Sequence, residues 1–397
     1  MNSAASEQPN WLLEKFERYG IHPERGFLPS PDPLDRLPEE FAAWDAVADD
    51  LPKFLVTGAR SFIDELPLLD ASKLGDEPSQ RRAMVILSFL AHAYVWGEDK
   101  TVNSLPGCLA APWFQIARTL GRPPVLSYAS YVLDNWCRFD PNRPIELGNI
   151  CMEQNFLGGQ DEEWFVLVHV AIEARAASAL AAIVAAQQAV AEDQPQYVAE
   201  QLAIIARTLE MLHEILLRMP ERCDPYIYFN RVRPYIHGWA NHPSFPQGLI
   251  YEGVADYGGK PQSFRGETGA QSSIIPAADA ALGITHEKDM LHAYLMEMRD
   301  YMPPRHRAFI EAVEAGPSVR DYVTRHHKQH PALRARYNDA VGGIERFRST
   351  HLEYAHNYII KQSRTGNYNP NDVGTGGTPF APYLKKHRDE TKRHRLR

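Results

Sequence analysis

The spacing of apolar residues along the chain predicts helices in most of its length. Apolar side chains recur every three or four positions in several long segments, whereas short runs with strand-like alternation are few. The pattern is typical of an all-α protein. It predicts helices over 37–51, 79–96, 124–136, 161–191, 197–217, 289–301, 306–315 and 331–362, the last of them weakened at Gly342 and Gly343.

The pattern changes near residues 141–159, where prolines and the pair Gly158-Gly159 interrupt the apolar periodicity. A chain of 397 residues is long enough for about two or three domains. We therefore predict a small helical domain over 1–150 and a large helical domain over 151–397.

Charge and hydropathy exclude some classes of partner. The chain carries 42 basic and 50 acidic residues, a net charge of −8, which makes a large nucleic-acid surface improbable. A basic cluster at 385–397 is interpreted as a solvated, frayed tail. The most apolar stretch, 164–190, carries His169, Glu173 and Arg175, so a buried helix is favoured over a membrane span.

The cysteines and the first residues bear on the compartment. Four cysteines are present, and none lies in a CxxC pair or at zinc-ligand spacing. We predict free thiols in a reducing compartment. The segment 1–10 is polar and lacks the apolar stretch of a secretory signal, so we expect a cytoplasmic protein.

Common nucleotide-binding, hydrolase and zinc-protease motifs do not occur, but a series of weaker motifs resembles one family. The chain is similar, nearly from end to end, to the indoleamine 2,3-dioxygenases. The motifs are GFLPSPDPLDRLPEEFAAWDAVADDLP, SFLAHAYVWG, LSYASYVLDNW, IEARAASA, GLIYEGV, GAQSS, RDYMPPRHRAFI, PSVRDYV, RSTHLEYAHNYI and GTGGTPF. Their number, order and spacing carry the resemblance, which implies an all-α fold and haem b as cofactor.

The proximal side of that haem would lie on the helix 344–360. Arg348 and His351 are about one turn apart and share a face, where spacing alone also allows a surface pair. The resemblance implies that His351 is the axial iron ligand and that Arg348 pairs with a haem propionate. His356 is the nearby competitor and faces well away from His351.

The distal side would lie on the apolar helix that follows residue 160. Phe165 and His169 are four residues apart and therefore stack on one face. The resemblance implies that Phe165 packs on the indole. His169 replaces a small hydroxyl residue of vertebrate members and could donate to oxygen or accept the indole N–H. The alternative is a hydrogen-bonded core histidine.

Residues of two further segments would contact the substrate. In 124–136 the resemblance implies that Tyr128, Tyr131 and Val132 line the pocket wall, with Tyr131 narrowing or polarising it; simple core packing is the alternative. In 226–239 it matches Arg233, rather than Arg231, to the arginine that holds the substrate carboxylate. Two more pocket residues follow from the same alignment, Tyr228 and Ile236.

Two glycine-containing loops complete the expected site. Residues 266–273 match a turn that passes over the haem edge, so Gly266 and Gly269 would contact the cofactor and Thr268 the substrate. Glu267 departs from the family and should point to solvent or towards a substrate ammonium. The segment 364–380 matches a loop that closes on the bound amino acid, where Thr375 would hydrogen-bond the carboxylate or ammonium.

The resemblance implies insertion of both atoms of O2 across the indole C2–C3 bond of L-tryptophan, giving N-formylkynurenine. An electron donor would keep the iron ferrous, and neither nucleic acid nor membrane is expected as a partner. Two alternatives stay open. One is another haem enzyme of the same fold that acts on an indole derivative, similar to the ring-rearrangement enzyme of pyrrolnitrin biosynthesis. The other is a non-catalytic haem or gas-binding protein.

Overall fold

The predicted all-α fold is confirmed. A computed structural model describes residues 10–363, 374–375 and 380–397, and helices dominate these residues. The α-helices are α1 (Asn10–Arg18), α2 (Ala42–Asp49), α3 (Leu51–Thr57), α4 (Arg60–Asp64), α5 (Glu77–Trp96), α6 (Gly107–Leu120), α7 (Gln160–Arg175), α8 (Ala177–Ala191), α9 (Pro195–Leu216), α10 (Pro225–Ile227), α11 (Ile274–Leu282), α12 (Met290–Met298), α13 (Pro304–Ala315), α14 (Val319–His326), α15 (Pro331–Ala355), α16 (Lys361–Ser363) and α17 (Phe380–Arg393).

Shorter helical turns and strands connect these helices. Three π-helical turns lie at Ala129–Leu133, Tyr228–Val232 and His356–Ile360 within the described part of the chain. The 3₁₀ turns lie at Glu39–Phe41, Ala71–Lys73, Met219–Glu221, Arg233–Ile236, Ala255–Tyr257, Gly269–Gln271 and Arg299–Tyr301. Strand β1 (Ser104–Leu105) pairs in parallel with β4 (Ile250–Tyr251), and β2 (Cys137–Arg138) pairs antiparallel with β3 (Ile150–Cys151).

The prediction of four free thiols is wrong for one pair of cysteines. Cys137 and Cys151 face each other across β2 and β3, with their Cα atoms 5.3 Å apart, and form a disulfide. That separation is within the range that a disulfide can bridge. Cys108 and Cys223 are free.

The predicted helix over 124–136 is also wrong in its extent, because the segment forms a single π-helical turn. The amide of Asp134 donates to the carbonyl of Ala129, five residues earlier, at 2.9 Å. Before that turn the chain forms a tight bend in which the amide of Val125 donates to the carbonyl of Pro123. Each proline of the Pro123-Pro124 pair disfavours the α conformation in the residue before it, which opposes an earlier start of the helix.

The long helix α15 passes through Gly342 and Gly343 without the expected weakening, and packing explains why. A Cβ atom added at Gly343 would lie 2.8 Å from Cβ of Leu209 on α9. The glycine therefore marks the place where α9 and α15 pack closely together, and tertiary contact outweighs its low helix propensity.

The basic cluster at 385–397 is part of the fold, so its interpretation as a frayed tail is wrong. Helix α17 packs on α15 and buries Glu390 and Thr391. Beyond it, the backbone amide of Leu396 donates to Asn338 of α15 at 2.8 Å. The positive charges lie on the exposed side of an anchored helix.

Two apolar cores position the site. One core includes α2, α5 and α6, and the other includes α1, α8, α9, α11 and α13 to α15. Helix α7 contributes to both, since Val166 and Val170 pack in the first and Trp164 and Val168 in the second. The division between the two cores does not follow the chain at residue 150, because α1, near the start of the chain, packs in the second core with the large helices.

Helices α7 and α8 together, 160–191, are long and apolar enough to cross a membrane by length and composition. In this structure 72% of the most apolar window is buried inside the fold. A mostly buried helix of this kind is typical of the core of a globular protein.

Candidate active site

His351 on α15 is accessible, although many protein atoms surround it. Its side chain keeps accessible surface, yet its pKa is lowered to about 4 by burial and, to a smaller extent, by the nearby His169 and Arg348. An accessible imidazole of this kind can be reached by a metal. It is neutral near pH 7, as a metal ligand must be. His356 begins the following π turn and is exposed.

His169 on α7 contributes electrostatically to the lowered pKa of His351, so the two imidazoles lie in the same neighbourhood. The Nδ1 atom of His169 lies 2.7 Å from the carbonyl oxygen of Phe165. Because a carbonyl only accepts, Nδ1 carries the proton and Nε2 is left as an acceptor. Burial lowers the pKa of His169, which favours this neutral form.

Aromatic rings surround His169. The ring of Phe165 lies 4.6 Å from the imidazole, and the ring of Tyr128 lies 6.0 Å from it, edge-on. Phe165 also packs on Tyr228, with centroids 4.7 Å apart, and keeps some accessible surface. Tyr131, by contrast, has no accessible surface. Two other predicted pocket residues are likewise fully buried and support the wall from behind, Val132 and Ile236.

Two buried carboxyl groups fix the tyrosines, and sequence reasoning missed both. The hydroxyl groups of Tyr128 and Ser272 donate to Oε1 of Glu173 at 2.9 and 2.8 Å. The hydroxyl of Tyr131 donates to Glu162, which also accepts from two backbone amides. Burial raises the pKa of each carboxyl to about 7.

A signal for these carboxyl groups was present in the sequence. Glu162, His169 and Glu173 are spaced by seven and four residues, which places them on one face of a helix. The rest of α7 is strongly apolar, and a polar stripe on an apolar helix must find partners inside the fold.

Arg233 and Glu267 bring a guanidinium and a carboxyl group to the neighbourhood of Tyr228. Arg233 is fully buried and Glu267 is 3% exposed, whereas the rival Arg231 is exposed. Burial lowers the pKa of Arg233 to about 10 and raises that of Glu267 to about 8. Both groups act electrostatically on Tyr228. The expectation that Glu267 points to solvent is therefore wrong.

The turn that carries Glu267 packs directly on the segment that follows Arg233. A Cβ atom at Gly266 would lie 2.2 Å from the amide nitrogen of Gly238, so only glycine fits there. The hydroxyl of Thr375 donates to the carbonyl of Glu267, and the amide of Gly238 donates to the carbonyl of Thr375 at 3.4 Å. Thr375 thus joins the two segments.

The remaining loop residues are placed as follows. Thr268 caps the 3₁₀ turn Gly269–Gln271 by accepting from the amide of Ala270, and a Cβ atom at Gly269 would meet open space. The predicted closing loop falls mostly on 364–373 and 376–379, which lie outside the described residues.

Arg348 is held by a carboxylate that sequence reasoning did not identify. Its guanidinium forms a two-pronged ion pair with Asp279 of α11, at 2.5 and 3.2 Å, and contacts the hydroxyl of Thr391 on α17. Asp279 is the single charged residue of α11, and nothing in its local pattern indicates its partner.

These residues fit a haem. His351 offers a neutral, accessible imidazole, and His169, which packs on Phe165, contributes to its lowered pKa. His351 would supply the axial ligand. Arg348 would approach a propionate while it still contacts Asp279, and Gly269 leaves space for the cofactor.

The comparisons with known proteins all point to one family. A sequence model of the family described as indoleamine 2,3-dioxygenase matches residues 15–394. The chain is 37% identical over 392 residues to indoleamine 2,3-dioxygenase 1 of Rattus norvegicus, covering 95% of each chain. It is 35% identical over 390 residues to indoleamine 2,3-dioxygenase 2 of Homo sapiens, covering 95% of this chain and 94% of the other. A protein of Haliotis madaka named myoglobin is 30% identical over 387 residues, covering 96% of this chain and 98% of the other.

Proposed function

This chain belongs to the indoleamine 2,3-dioxygenase family and is a haem-dependent dioxygenase, and from that premise we propose that it converts L-tryptophan to N-formylkynurenine. Both atoms of O2 would be inserted across the C2–C3 bond of the indole. When bound to His351, the haem supplies the oxygen chemistry, and the protein supplies binding, orientation and electrostatics.

The observation that carries this proposal is a buried guanidinium and a buried carboxyl group beside one aromatic ring. Arg233 and Glu267 both act on Tyr228. A free amino acid carries a carboxylate and an ammonium on one carbon. Arg233 suits the carboxylate through its planar donor fork, and Glu267 suits the ammonium. An indole side chain would extend from this pair towards Phe165.

His169 would act on the indole N–H. Its Nδ1 proton is committed to the carbonyl of Phe165, so its Nε2 atom can accept the indole proton in a hydrogen bond. Phe165 would hold the plane of the ring. Tyr128 and Tyr131 would support this wall, because Glu173 and Glu162 fix their hydroxyl groups.

Substrate entry requires movement, since Arg233 has no accessible surface in this structure. Thr375 joins the Gly238 and Glu267 segments beside it. We propose that this junction opens to admit the amino acid and then closes around it, with the Thr375 hydroxyl exchanging the Glu267 carbonyl for the substrate. Closure would exclude water from the site.

The experiment is to measure kcat/KM of Arg233→Ala with L-tryptophan and with tryptamine, which lacks the carboxylate, and to identify the products by mass. Loss of a charged hydrogen bond costs about 1.5–3 kcal/mol, so activity on L-tryptophan should fall at least about tenfold. Tryptamine turnover should change much less. Arg231→Ala is the matched control, because it removes the same charge from an exposed position two residues away.

An equal loss with both substrates would contradict the carboxylate assignment. A product other than the N-formyl ring-opened species would favour another enzyme of this fold acting on an indole derivative. The departures at His169, Tyr131 and Glu267 leave room for that alternative.

A second candidate function follows from the relative named myoglobin. This chain would then bind a gas on its haem without turning over an indole. Incubation of the reduced protein with L-tryptophan and O2 separates the two functions, since a gas carrier would leave tryptophan unchanged.

A further inference from the structure

A buried cluster of metal-binding side chains lies away from the candidate haem site, between α11 and α17. It consists of His286, His387 and Glu390, which we call the C-terminal cluster. One ligand atom from each residue lies within 4.8 Å of the other two. The imidazole centroids are 4.4 Å apart, and Nδ1 of His286 lies 2.5 Å from Oε2 of Glu390.

The cluster contains a buried nitrogen without a partner. His387 is 8% exposed, and its Nε2 atom makes no hydrogen bond within the described residues. Leaving a buried polar atom unsatisfied costs about 1–3 kcal/mol. A metal ion that accepts the lone pair of an imidazole nitrogen would remove that cost.

The charges around the cluster favour a cation. Three carboxylates and three cationic side chains around the cluster balance each other, so the carboxylate of Glu390 within the cluster leaves an excess of one negative charge. His286 contacts Oε2 of Glu390, whereas Oε1 accepts a long hydrogen bond of 3.4 Å from the amide of Glu287 and lies 3.7 Å from Lys386, so Oε1 keeps a lone pair for a metal ion. The surrounding carboxylates are Asp279, Glu287 and Asp289, and the cations are Arg348, Lys386 and Arg393.

The outer contacts of His286 are those expected of a metal ligand. If Nδ1 binds a metal, Nε2 carries the proton, and that atom lies 3.5 Å from Oδ2 of Asp279. Metal-binding histidines usually donate their second N–H to a carboxylate; here Nε2 makes no hydrogen bond within the described residues, but the carboxylate of Asp279 lies beside it. Asp279 in turn holds Arg348, one turn before His351.

We propose that His286, His387 and Glu390 bind one Zn²⁺ ion, with water as a fourth ligand. Two imidazole nitrogens and one carboxylate oxygen suit zinc rather than calcium or magnesium, which prefer oxygen ligands. The ion would fasten α17 to the segment after α11. His387 and Glu390 are three residues apart on α17, but His286 lies 104 positions before Glu390, so no local motif contains all three ligands.

Zinc binding is tested on the untagged, haem-loaded protein after treatment with a chelator. The protein is titrated with Zn²⁺ by calorimetry, and the zinc-to-iron ratio is measured after dialysis. We expect one zinc per iron with a Kd of about 10 µM or below. Glu390→Gln and His387→Ala should each weaken binding at least about tenfold, because each removes a ligand. His330→Ala, which removes an exposed histidine at the start of α15, should bind as the wild type does.

Glu390→Gln keeps the shape of the side chain, so it still tests zinc binding if His387→Ala does not fold. Far-UV circular dichroism and the Soret band check the fold of each variant. Zinc should also slow amide exchange in residues 383–393 of the wild type and leave that of Glu390→Gln unchanged. Absence of stoichiometric binding below about 100 µM, or less than a tenfold loss in Glu390→Gln, would overturn the proposal. In that case the cluster is a hydrogen-bonded link, in which a protonated His286 joins Asp279 to Glu390.

Discussion

Replacing Glu173 by glutamine tests whether the carboxyl group that holds Tyr128 is neutral inside the protein. Glu173 is 1% exposed, and its Oε2 atom has no hydrogen-bond partner among the described residues. Burial raises its pKa from 4.5 to about 7. Glutamine keeps an acceptor for the hydroxyl groups of Tyr128 and Ser272 and cannot ionise.

The pH dependence of the free energy of unfolding follows from the difference between the pKa of Glu173 in the folded and unfolded states. A carboxyl whose pKa is higher in the folded state stabilises the fold most below pH 4.5, and this contribution is lost as the pH rises through about 7. Between pH 5 and pH 8 the free energy of unfolding of the wild type should fall by about 2.5 kcal/mol because of Glu173 alone. The glutamine amide adds an unsatisfied group, at a cost of about 1–3 kcal/mol that does not depend on pH.

The assay is urea unfolding of haem-loaded wild type and Glu173→Gln at several pH values from 5 to 8. The variant should be less stable at pH 5, and the difference should shrink or reverse by pH 8. Glu200→Gln makes the same change at an exposed position of α9 and should stay within about 0.5 kcal/mol of the wild type. A difference between wild type and Glu173→Gln that is the same at pH 5 and pH 8 would refute the reasoning.

Three further predictions concern the candidate site and its support. His351→Ala should lose stable haem binding while keeping its helical circular dichroism, and a full Soret band would contradict the ligand assignment. Since burial lowers the pKa of His169, the wild-type kcat/KM for L-tryptophan should fall only below about pH 6.5, and His169→Ser should lack this acid limb; superimposable profiles would argue against the acceptor role. Gly266→Ala should destabilise the fold by about 1–3 kcal/mol because of its clash with Gly238, whereas Gly269→Ala, which meets open space, should have little effect in the same unfolding assay.

The sequence predicted the helices well where amphipathic periodicity was sustained. Helices α5, α9 and α13 lie close to their predicted positions. The α-helix predicted over 124–136 is wrong because the prolines before the segment and its hydrogen bond between residues five apart produce a π-helical turn. The apolar spacing of the sequence does not distinguish the two. The sequence did not predict the disulfide, because nothing in the local pattern indicates that the two cysteines, 14 residues apart, lie on paired strands.

Part of the candidate site was predictable from helical periodicity. Residues on one helix face, such as Phe165 and His169, could be grouped from spacing. The burial of Glu267 and the pairing of Arg348 with Asp279 depend on contacts between distant segments, which periodicity does not contain. The family resemblance named the positions, but at Glu267 the chain departs from the family and the resemblance carried no information.

Gly343 has a consequence for how the axial ligand is positioned. The crossing of α9 and α15 lies at Gly343 and Leu209, and His351 is eight residues further along α15, about 12 Å away by helical rise. The separation of two helix axes at a remote point therefore sets the reach of the imidazole into the site. A methyl group at residue 343 would push α15 away from α9 and so displace His351 without touching it. The position of the axial ligand therefore depends on residue 343 having no side chain.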